Sequence, residues 1–399
     1  PVEMTRLTRK ALESTDLSTR AVDRCKNFFA LGMMLYLFDR PTEPSFKWVE
    51  QKFRKRPELV EANSLALRAG IALCEATEVF HERYRVEPAK LPPGTYRNMN
   101  GNLALCLGLL AGSRQSGRPL FMAGYPITPA SEIIHELSRH ARFGTVTFQA
   151  EDEIAAVGAA IGASFVGHLG ATATSGPGLD LKAEMLGLVA TAELPLVVLN
   201  IQRAGPSTGM PTKTEQSDLM LAMFGRHGET PLPVLAASSP GDCFWTAIEA
   251  SRIAVKYMTP VIVLSDTYLA NGSEPWRIPS VDDLPDFPVT FAAPDAEFQP
   301  YSRDPETLAR PWAIPGTKGL EHRIGGLEKE DGTGNVSYDA DNHEHMTRLR
   351  AEKIERIASE IPACQVDGDP DPDLLILGWG STLGQILGAV RRAQSEGLK

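Results

Sequence analysis

Apolar residues along this chain follow two patterns. Between residues 96 and 277 they gather in short continuous runs: Pro119-Leu120-Phe121-Met122-Ala123, Ala171-Thr172-Ala173-Thr174, Leu196-Val197-Val198-Leu199-Asn200-Ile201 and Thr259-Pro260-Val261-Ile262-Val263-Leu264. Runs of this length suit buried strands. Separated by helical stretches, they predict βα units and a parallel, doubly wound α/β sheet. Residues 1–95 have helical spacing instead, with Phe28, Leu31, Leu35 and Phe38 on one apolar face and Phe46, Val49 and Phe53 on another. Pro92-Pro93-Gly94 marks a linker after them. Residues 278–366 are rich in Pro and Asp and then charged, with Gly332-Thr333-Gly334 as a flexible loop and a helix expected over 344–360. Residues 367–399 begin another α/β domain, with Asp373-Leu374-Leu375-Ile376-Leu377-Gly378-Trp379-Gly380-Ser381-Thr382 as its strand-to-helix turn. One βα unit cannot bury a core, so the sequence is expected to be a fragment truncated at both ends.

Three of the apolar runs lead into loops of small and turn-forming residues. The first continues as Gly124-Tyr125-Pro126-Ile127-Thr128-Pro129-Ala130-Ser131, the second as Ser175-Gly176-Pro177-Gly178, and the third as Arg203-Ala204-Gly205-Pro206-Ser207-Thr208-Gly209-Met210-Pro211-Thr212-Lys213. In a parallel sheet ligands lie outside the carboxyl ends of the strands, so these loops should share one rim. Glu151-Asp152-Glu153 stands at the mouth of a helix that has no further polar side chain from Ile154 to Ala163. A carboxylate entering such a helix is hard to solvate and is expected to have a raised pKa, which suits it to hydrogen-bonding or protonating a ring nitrogen. An acid in a first helical turn also complements the helix dipole, so Glu153 alone does not define a site. Thr128, between two prolines, has little backbone freedom and a pre-aimed hydroxyl, although it could equally cap a helix over 129–138. Arg203 can clamp a carboxylate bidentately without losing its charge, or pair with a surface acid.

Composition narrows the partners. With 399 residues, 43% of them hydrophobic, the chain can bury more than one core. A net charge of −10 disfavours nucleic acid and anionic membranes. No apolar run reaches the ~20 residues of a membrane span and no signal peptide is recognisable, so a cytoplasmic location is expected. Cys25, Cys74, Cys106, Cys243 and Cys364 are scattered without a Cys-x-x-Cys pair, and His343 and His345 lie in a charged stretch, so neither zinc nor an iron–sulfur cluster is expected on this chain.

The order Gly-Tyr-Pro-Ile-Thr-Pro-Ala-Ser, Gln149-Ala150-Glu151-Asp152-Glu153, Thr174-Ser175-Gly176-Pro177-Gly178, then Gln202-Arg203 through Thr214-Glu215-Gln216-Ser217-Asp218 resembles the α subunit of 2-oxoacid:ferredoxin oxidoreductases, the 2-oxoglutarate type above all. The resemblance implies a thiamine diphosphate-binding, pyrimidine-type domain over 96–277. Residues 1–95 would then be the end of a γ-type domain, 278–366 an extended linker and helix, and 367–399 the start of a transketolase C-terminal-like domain. It further implies that Glu153 contacts the aminopyrimidine ring and promotes its imino tautomer. Tyr125, Pro126, Ile127, Ser175, Gly176 and Pro177 would line the cofactor, and Thr128 and Arg203 would hold the substrate carboxylate. Lys213 offers a second cation for the distal carboxylate of a dicarboxylic substrate, though an exposed loop lysine is an equal reading of it.

A Gly-Asp-Gly followed by Asn, which such enzymes use for Mg²⁺ and the diphosphate, is absent, as are Walker and dinucleotide-binding glycine loops. The chain is thus expected to supply half a site. A β subunit would bring Mg²⁺, the diphosphate domain and a [4Fe-4S] cluster, in a dimer of αβ heterodimers. The implied reaction is CoA-dependent oxidative decarboxylation of 2-oxoglutarate to succinyl-CoA and CO2 with electrons to ferredoxin, or its reverse. A pyruvate or branched-chain 2-oxoacid enzyme and a non-catalytic assembly subunit are the alternatives.

Overall fold

A computed structural model describes residues 2–77, 79–294, 297–368, 371–372 and 374–398. The chain divides into two compact units, Pro1–Pro93 and Gly94–Lys399.

The first unit is helical throughout its ordered elements: Met4–Ala11, Thr19–Arg24, Lys26–Leu37, Glu43–Phe53 and Pro57–Thr77. The buried face of Lys26–Leu37 is Phe29, Gly32 and Met33, not the expected Phe28, Leu31, Leu35 and Phe38. Two glycines explain the rotation. A Cβ on Gly32 would lie 2.1 Å from the Leu67 carbonyl oxygen and one on Gly70 would lie 2.0 Å from that of Phe29. The helices Lys26–Leu37 and Pro57–Thr77 therefore cross backbone to backbone at this pair, and the glycine side of the helix is the buried side. Val49 is fully buried, as expected.

The second unit opens with β1 (Tyr96–Asn100), which pairs antiparallel with β8 (Ser273–Arg277) and ties the two ends of the α/β region together. Between them lies a six-stranded sheet of β2 (Leu120–Gly124), β3 (Val146–Gln149), β4 (Leu169–Thr174), β5 (Leu196–Gln202), β6 (Val234–Ala236) and β7 (Pro260–Asp266), in spatial order β3-β2-β4-β5-β7-β6. Every pairing is parallel. β4, β5 and β7 are buried along their whole length, so even the alternating Thr172 and Thr174 of β4 and Asn200 and Gln202 of β5 lie inside, as in a sheet covered on both faces. The chain moves from β2 outward to β3 and then back across to β4, so a topological switch point falls between β2 and β4.

The described residues of 278–294 and 297–339 run over the domain with little regular structure, and a helix follows at Ala340–Ile357. It starts before residue 344 because the Asp339 carboxylate caps it, accepting from the Asn342 N–H at 2.8 Å. The strand expected from Asp373 is corrected. Asp373 lies outside the described residues, and Leu374, Leu375 and Leu377 are 71%, 65% and 94% exposed in an irregular segment. No described strand pairs with this segment, and an isolated strand leaves a row of N–H and C=O groups unpaired. The helical half of the turn is present as Leu383–Ser395. Among the described residues no helix is long and apolar enough to cross a membrane.

Candidate functional site

The switch point is bridged by a hydrogen bond. Tyr125, just past the carboxyl end of β2, places its Oη 2.8 Å from Thr174 Oγ1 at the end of β4. Burial, with a smaller opposing effect from that bond, pushes the Tyr125 phenol up to about 12, so it remains protonated. The Gly176-Pro177-Gly178 turn passes directly over this pair. A Cβ on Gly178 would sit 2.1 Å from Tyr125 Oη and 2.2 Å from Thr174 Oγ1, and one on Gly176 would sit 2.9 Å from Asp218 Oδ2. Only glycine fits such close backbone approaches. Ser175 precedes the short helix Gly176–Leu181, yet its hydroxyl caps nothing and is buried without a partner.

Asp218 is itself buried, and burial raises its carboxyl above the usual range against the hydrogen bond from Asn200 Nδ2 at 2.9 Å. Asn200 Oδ1 and Arg203 Nε are buried and unpartnered. With the Ser175 hydroxyl they make three unsatisfied polar atoms at or near the carboxyl ends of β4 and β5. Other buried polar atoms of the described residues, Ser164 Oγ and Arg310 Nη2 among them, also lack a partner; what distinguishes these three is that they gather on the rim where a parallel sheet binds its ligands.

The loop after β2 brings two predicted residues together in an unexpected way. Arg203 is 7% exposed and its Nη1 donates to the Thr128 backbone carbonyl at 2.6 Å. Contact with Arg203 therefore runs through the Thr128 main chain. The exposed Thr128 hydroxyl caps no helix, because the following helix is Ser131–Leu137 with Ala130 at its cap position. Ser131 stiffens the loop instead, its Oγ accepting from the Ile127 N–H at 2.8 Å and donating to the Ile127 carbonyl at 2.9 Å. Pro126 is exposed and Ile127 half-buried at the rim. Lys213 is exposed, and only its backbone is engaged: its carbonyl accepts from the Ala204 N–H at 3.0 Å and its N–H donates to Met210 at 2.9 Å. The loop 204–213 thus folds back on itself, and the Lys213 ammonium points to no other described residue.

Glu153 begins the helix Glu153–Phe165, with Asp152 as its cap accepting from the Ala155 N–H at 2.8 Å. The expectation of an enclosed, apolar helix mouth is corrected. Glu153 is half-buried and Ile154 beside it is 49% exposed. One face of the helix packs on β2 and β4, while its first turn stays open on the other side.

The residue missed from the sequence is Lys182. Its side chain is completely buried beneath the rim. Nζ donates to the Glu153 carbonyl at 2.8 Å, lies 3.4 Å from Thr172 Oγ1, and sits 5.3 Å from the centre of the Tyr125 ring. A signal was present: Lys182 immediately precedes the helix Ala183–Ala192, where a cation opposes the helix dipole. Gln216 was also missed. It ties the rim to the C-terminal turn, donating to the Trp379 carbonyl at 2.9 Å and accepting from the Ser381 N–H at 3.1 Å. His343 and His345 bond Glu328 and Asp331 at 2.8 and 2.9 Å, and among the described residues no group of side chains could hold a metal ion.

A parallel sheet with a glycine cradle, a half-buried acid and a buried arginine around its switch point defines a cofactor-binding α/β module. The family described as pyruvate flavodoxin/ferredoxin oxidoreductase, thiamine diphosphate-binding, matches residues 114–341, and the chain belongs to it. The 2-oxoglutarate oxidoreductase subunit KorA of Mycobacterium tuberculosis is 54% identical over 400 residues, covering 100% of this chain and 61% of the relative. The 2-oxoglutarate synthase subunit KorA of Archaeoglobus fulgidus is 38% identical over 263 residues, covering 66% of this chain and 68% of the relative. Among solved structures, the 2-oxoglutarate:ferredoxin oxidoreductase from Magnetococcus marinus with 2-oxoglutarate, coenzyme A and succinyl-CoA bound superposes with a TM-score of 0.85 at 35% identity, over 100% of this chain and 67% of that one. The chain spans about three fifths of the length of the first curated relatives it matches.

Proposed function

We propose that this chain is the α-type part of a 2-oxoglutarate:ferredoxin oxidoreductase, contributing the pyrimidine half of a thiamine diphosphate site and the carboxylate clamp for the 2-oxoacid. Thiamine diphosphate, when bound, supplies the electron sink for loss of carbon dioxide from a 2-oxoacid. The residues present fit its pyrimidine end. Ser175 offers a buried hydroxyl with no protein partner, and Gly176 and Gly178 let the turn close down on Asp218, Tyr125 and Thr174, which holds that hydroxyl and the Tyr125 ring in place at the rim. Glu153 would contact the ring, and Tyr125, Pro126, Ile127 and Pro177 would line it.

The observation that carries the substrate reading is Arg203. It is a buried guanidinium whose one protein bond is to a neutral carbonyl and whose Nε is unpaired, so no carboxylate of the described residues neutralises it. A buried cation without a counter-ion is costly, and an incoming carboxylate removes that cost. With Nη1 already locked to Thr128, the guanidinium is oriented before substrate arrives. Lys213, beyond the glycine-bearing loop, would reach the distal carboxylate of the dicarboxylic substrate that two of the relatives carry in their names.

The cofactor's diphosphate and Mg²⁺ would come from a β-type partner, which would also carry the [4Fe-4S] cluster and pass electrons to ferredoxin, with CoA as acyl acceptor. Two observations support a partner: the chain has no Gly-Asp-Gly, and apolar side chains around the rim face outward, Ile154 at 49%, Met210 at 56%, Met220 at 65% and Phe224 at 67% exposed. A dimer of αβ heterodimers, working in the cytoplasm, is the assembly this suggests. The domain roles of residues 1–95, 96–277, 278–366 and 367–399 given above remain part of the proposal. Competition kinetics on the enzyme assembled with its partner test it. kcat/KM should favour 2-oxoglutarate over pyruvate, and Arg203→Ala should raise KM for the 2-oxoacid while thiamine diphosphate still binds. Equal or better kcat/KM for pyruvate overturns the dicarboxylate reading.

A further inference from the structure

Three lysines of the α/β unit are buried, Lys182, Lys329 and Lys353, and Lys182 is the most completely enclosed of them. Lys353 has the Glu193 carboxylate at 2.6 Å. Lys182 forms no ion pair with any described residue: its ammonium meets a carbonyl, a hydroxyl and the face of a phenol ring. Buried charges are ordinarily paired; Lys329, also buried, meets only the Gly325 and Leu327 carbonyls beside the Tyr301 ring, so what sets Lys182 apart is that its unpaired ammonium lies beneath the rim, where it has something to act on.

Its contacts say what. The carbonyl belongs to Glu153, the ring to Tyr125 and the hydroxyl to Thr172, so Lys182 touches the helix that presents the acid, the loop that crosses the switch point and the strand between them. The charged groups that act on it are Glu153 first and Asp152 second, both from the helix start; Tyr125 from the β2 loop is protonated, and β4 contributes only the neutral Thr172 hydroxyl. We propose that Lys182 is a positioning residue for Glu153, bonding its carbonyl to fix where the carboxylate stands and placing one positive charge behind it, so that the cofactor's aminopyrimidine meets a Glu153 whose orientation and charge are both set from below. This rests on the assignment of Glu153 to the pyrimidine ring. Burial brings the Lys182 ammonium down to about 7, with Glu153 and Asp152 opposing. The charge is therefore present below neutrality and fades above it, and its effect on Glu153 fades with it.

Because Lys182 is completely enclosed, it does not touch substrate, and its loss should appear in kcat rather than in KM. The test uses the assembled enzyme loaded with thiamine diphosphate. Three readouts are taken: steady-state kinetics, the circular-dichroism bands that distinguish the amino and imino tautomers of the bound pyrimidine, and the pH dependence of their ratio. Lys182→Gln keeps a hydrogen-bond donor near the Glu153 carbonyl but removes the charge, and Lys182→Met removes both.

The expected result is a kcat lower by about tenfold in Lys182→Met with the 2-oxoacid KM within about twofold, the order seen when groups supporting a site are removed. The tautomer ratio should move toward the amino form in both variants, and the step in that ratio near pH 7 should vanish in both. A merely structural lysine would lower the amount of cofactor bound without changing the tautomer ratio. An unchanged ratio and an unchanged pH step in both variants overturn the inference. Glu153→Gln separates it from the reading on which it rests. If that variant leaves the ratio alone, the assignment of Glu153 fails. If it shifts the ratio while the Lys182 variants do not, only the role of Lys182 fails.

Discussion

The two poles of the parallel sheet treat buried charge in opposite ways. At the amino pole, just before β5, Glu193 is buried with a left-handed backbone at φ 50°. Its carboxylate accepts from Arg303 Nη1 at 2.8 and 2.6 Å and from Lys353 Nζ at 2.6 Å. Arg310 donates to the carbonyls of Ala192 and Glu193 at 3.1 and 3.0 Å, and the guanidinium of Arg310 stands 5.3 Å from the buried Tyr301 ring. These bonds clamp the irregular stretch 300–310 and the helix Ala340–Ile357 onto the domain. At the carboxyl pole, Lys182 and Arg203 are buried without a carboxylate in contact, and the Ser175 hydroxyl has no partner. At the first pole a buried carboxylate gathers two cations, while Arg310 and Lys329 beside it meet only carbonyls; at the second pole no buried cation has a carboxylate. The difference between the latch and the site is therefore whether a buried carboxylate joins the cations at all.

The largest way to break this comparison is to remove the anion of the latch. Glu193→Ala should destabilise the Gly94–Lys399 unit by about 3–5 kcal/mol, the cost of leaving buried charges uncompensated. Burial pushes the Glu193 carboxyl up, but Lys353 and Arg303 outweigh it and bring it down to about 2. A carboxyl held below its unfolded value of about 4.3 contributes stability that is present above that pH and is lost as pH falls toward 2. Denaturant titrations at pH 7 and pH 3 should therefore show the gap between wild type and Glu193→Ala narrowing in acid. A gap of the same size at both pH values would mean that packing, not charge, holds the stretch down.

The next effect belongs to the other pole and should leave stability alone. Glu153→Gln should cut turnover of the assembled enzyme by about 10²-fold or more, as loss of a general acid or base does, with an unchanged melting curve, because the carboxylate is half-buried and its backbone carries the structural bond. Near wild-type turnover would move the role to Glu151 or Asp152. Between these two effects lies Gly178→Ala, whose Cβ would press on the Tyr125 and Thr174 hydroxyls. Overpacking of this kind costs about 1–3 kcal/mol, and here it should also weaken cofactor binding, which separates it from a glycine that serves the fold alone.

Much of this was legible in the sequence, and what was not has a common physical cause. The parallel sheet followed from short apolar runs alternating with helical stretches, and Tyr125, Ser175 and Arg203 follow directly on the strand ends to which the loops were assigned. The buried side of the helix Lys26–Leu37 was misjudged because periodicity weighs large apolar residues, whereas Gly32 and Gly70 set the crossing by having no side chain. Thr128 was expected to act through its hydroxyl, yet its contact with Arg203 is a backbone one, which sequence does not encode position by position. Lys182 and the latch both depend on pairs far apart in sequence, Lys182 with Glu153 and Glu193 with Arg303 and Lys353. Such pairs exist only once the sheet order is fixed.

The smallest effect is the sharpest, because the comparison fixes its sign. Lys182 and Lys353 are both buried, and replacing either by methionine removes one buried ammonium of similar length. For Lys353 the change strands Glu193 beside a single remaining cation and should cost several kcal/mol. For Lys182 no anion is stranded. Burial has brought its pKa from an ordinary 10.5 to about 7, so between those values the unfolded chain binds a proton that the folded chain does not. Stability then rises with pH across that window, and the full penalty of enclosing the charge is carried below pH 7. Lys182→Met relieves that penalty and loses one hydrogen bond to the Glu153 carbonyl, worth about 1 kcal/mol. The variant should be as stable as wild type or more so at pH 6.5, and the two unfolding curves should converge by pH 10. A variant that is less stable at pH 6.5, by the amount Lys353→Met loses, would show that the Lys182 ammonium is a second latch and that the two poles do not differ.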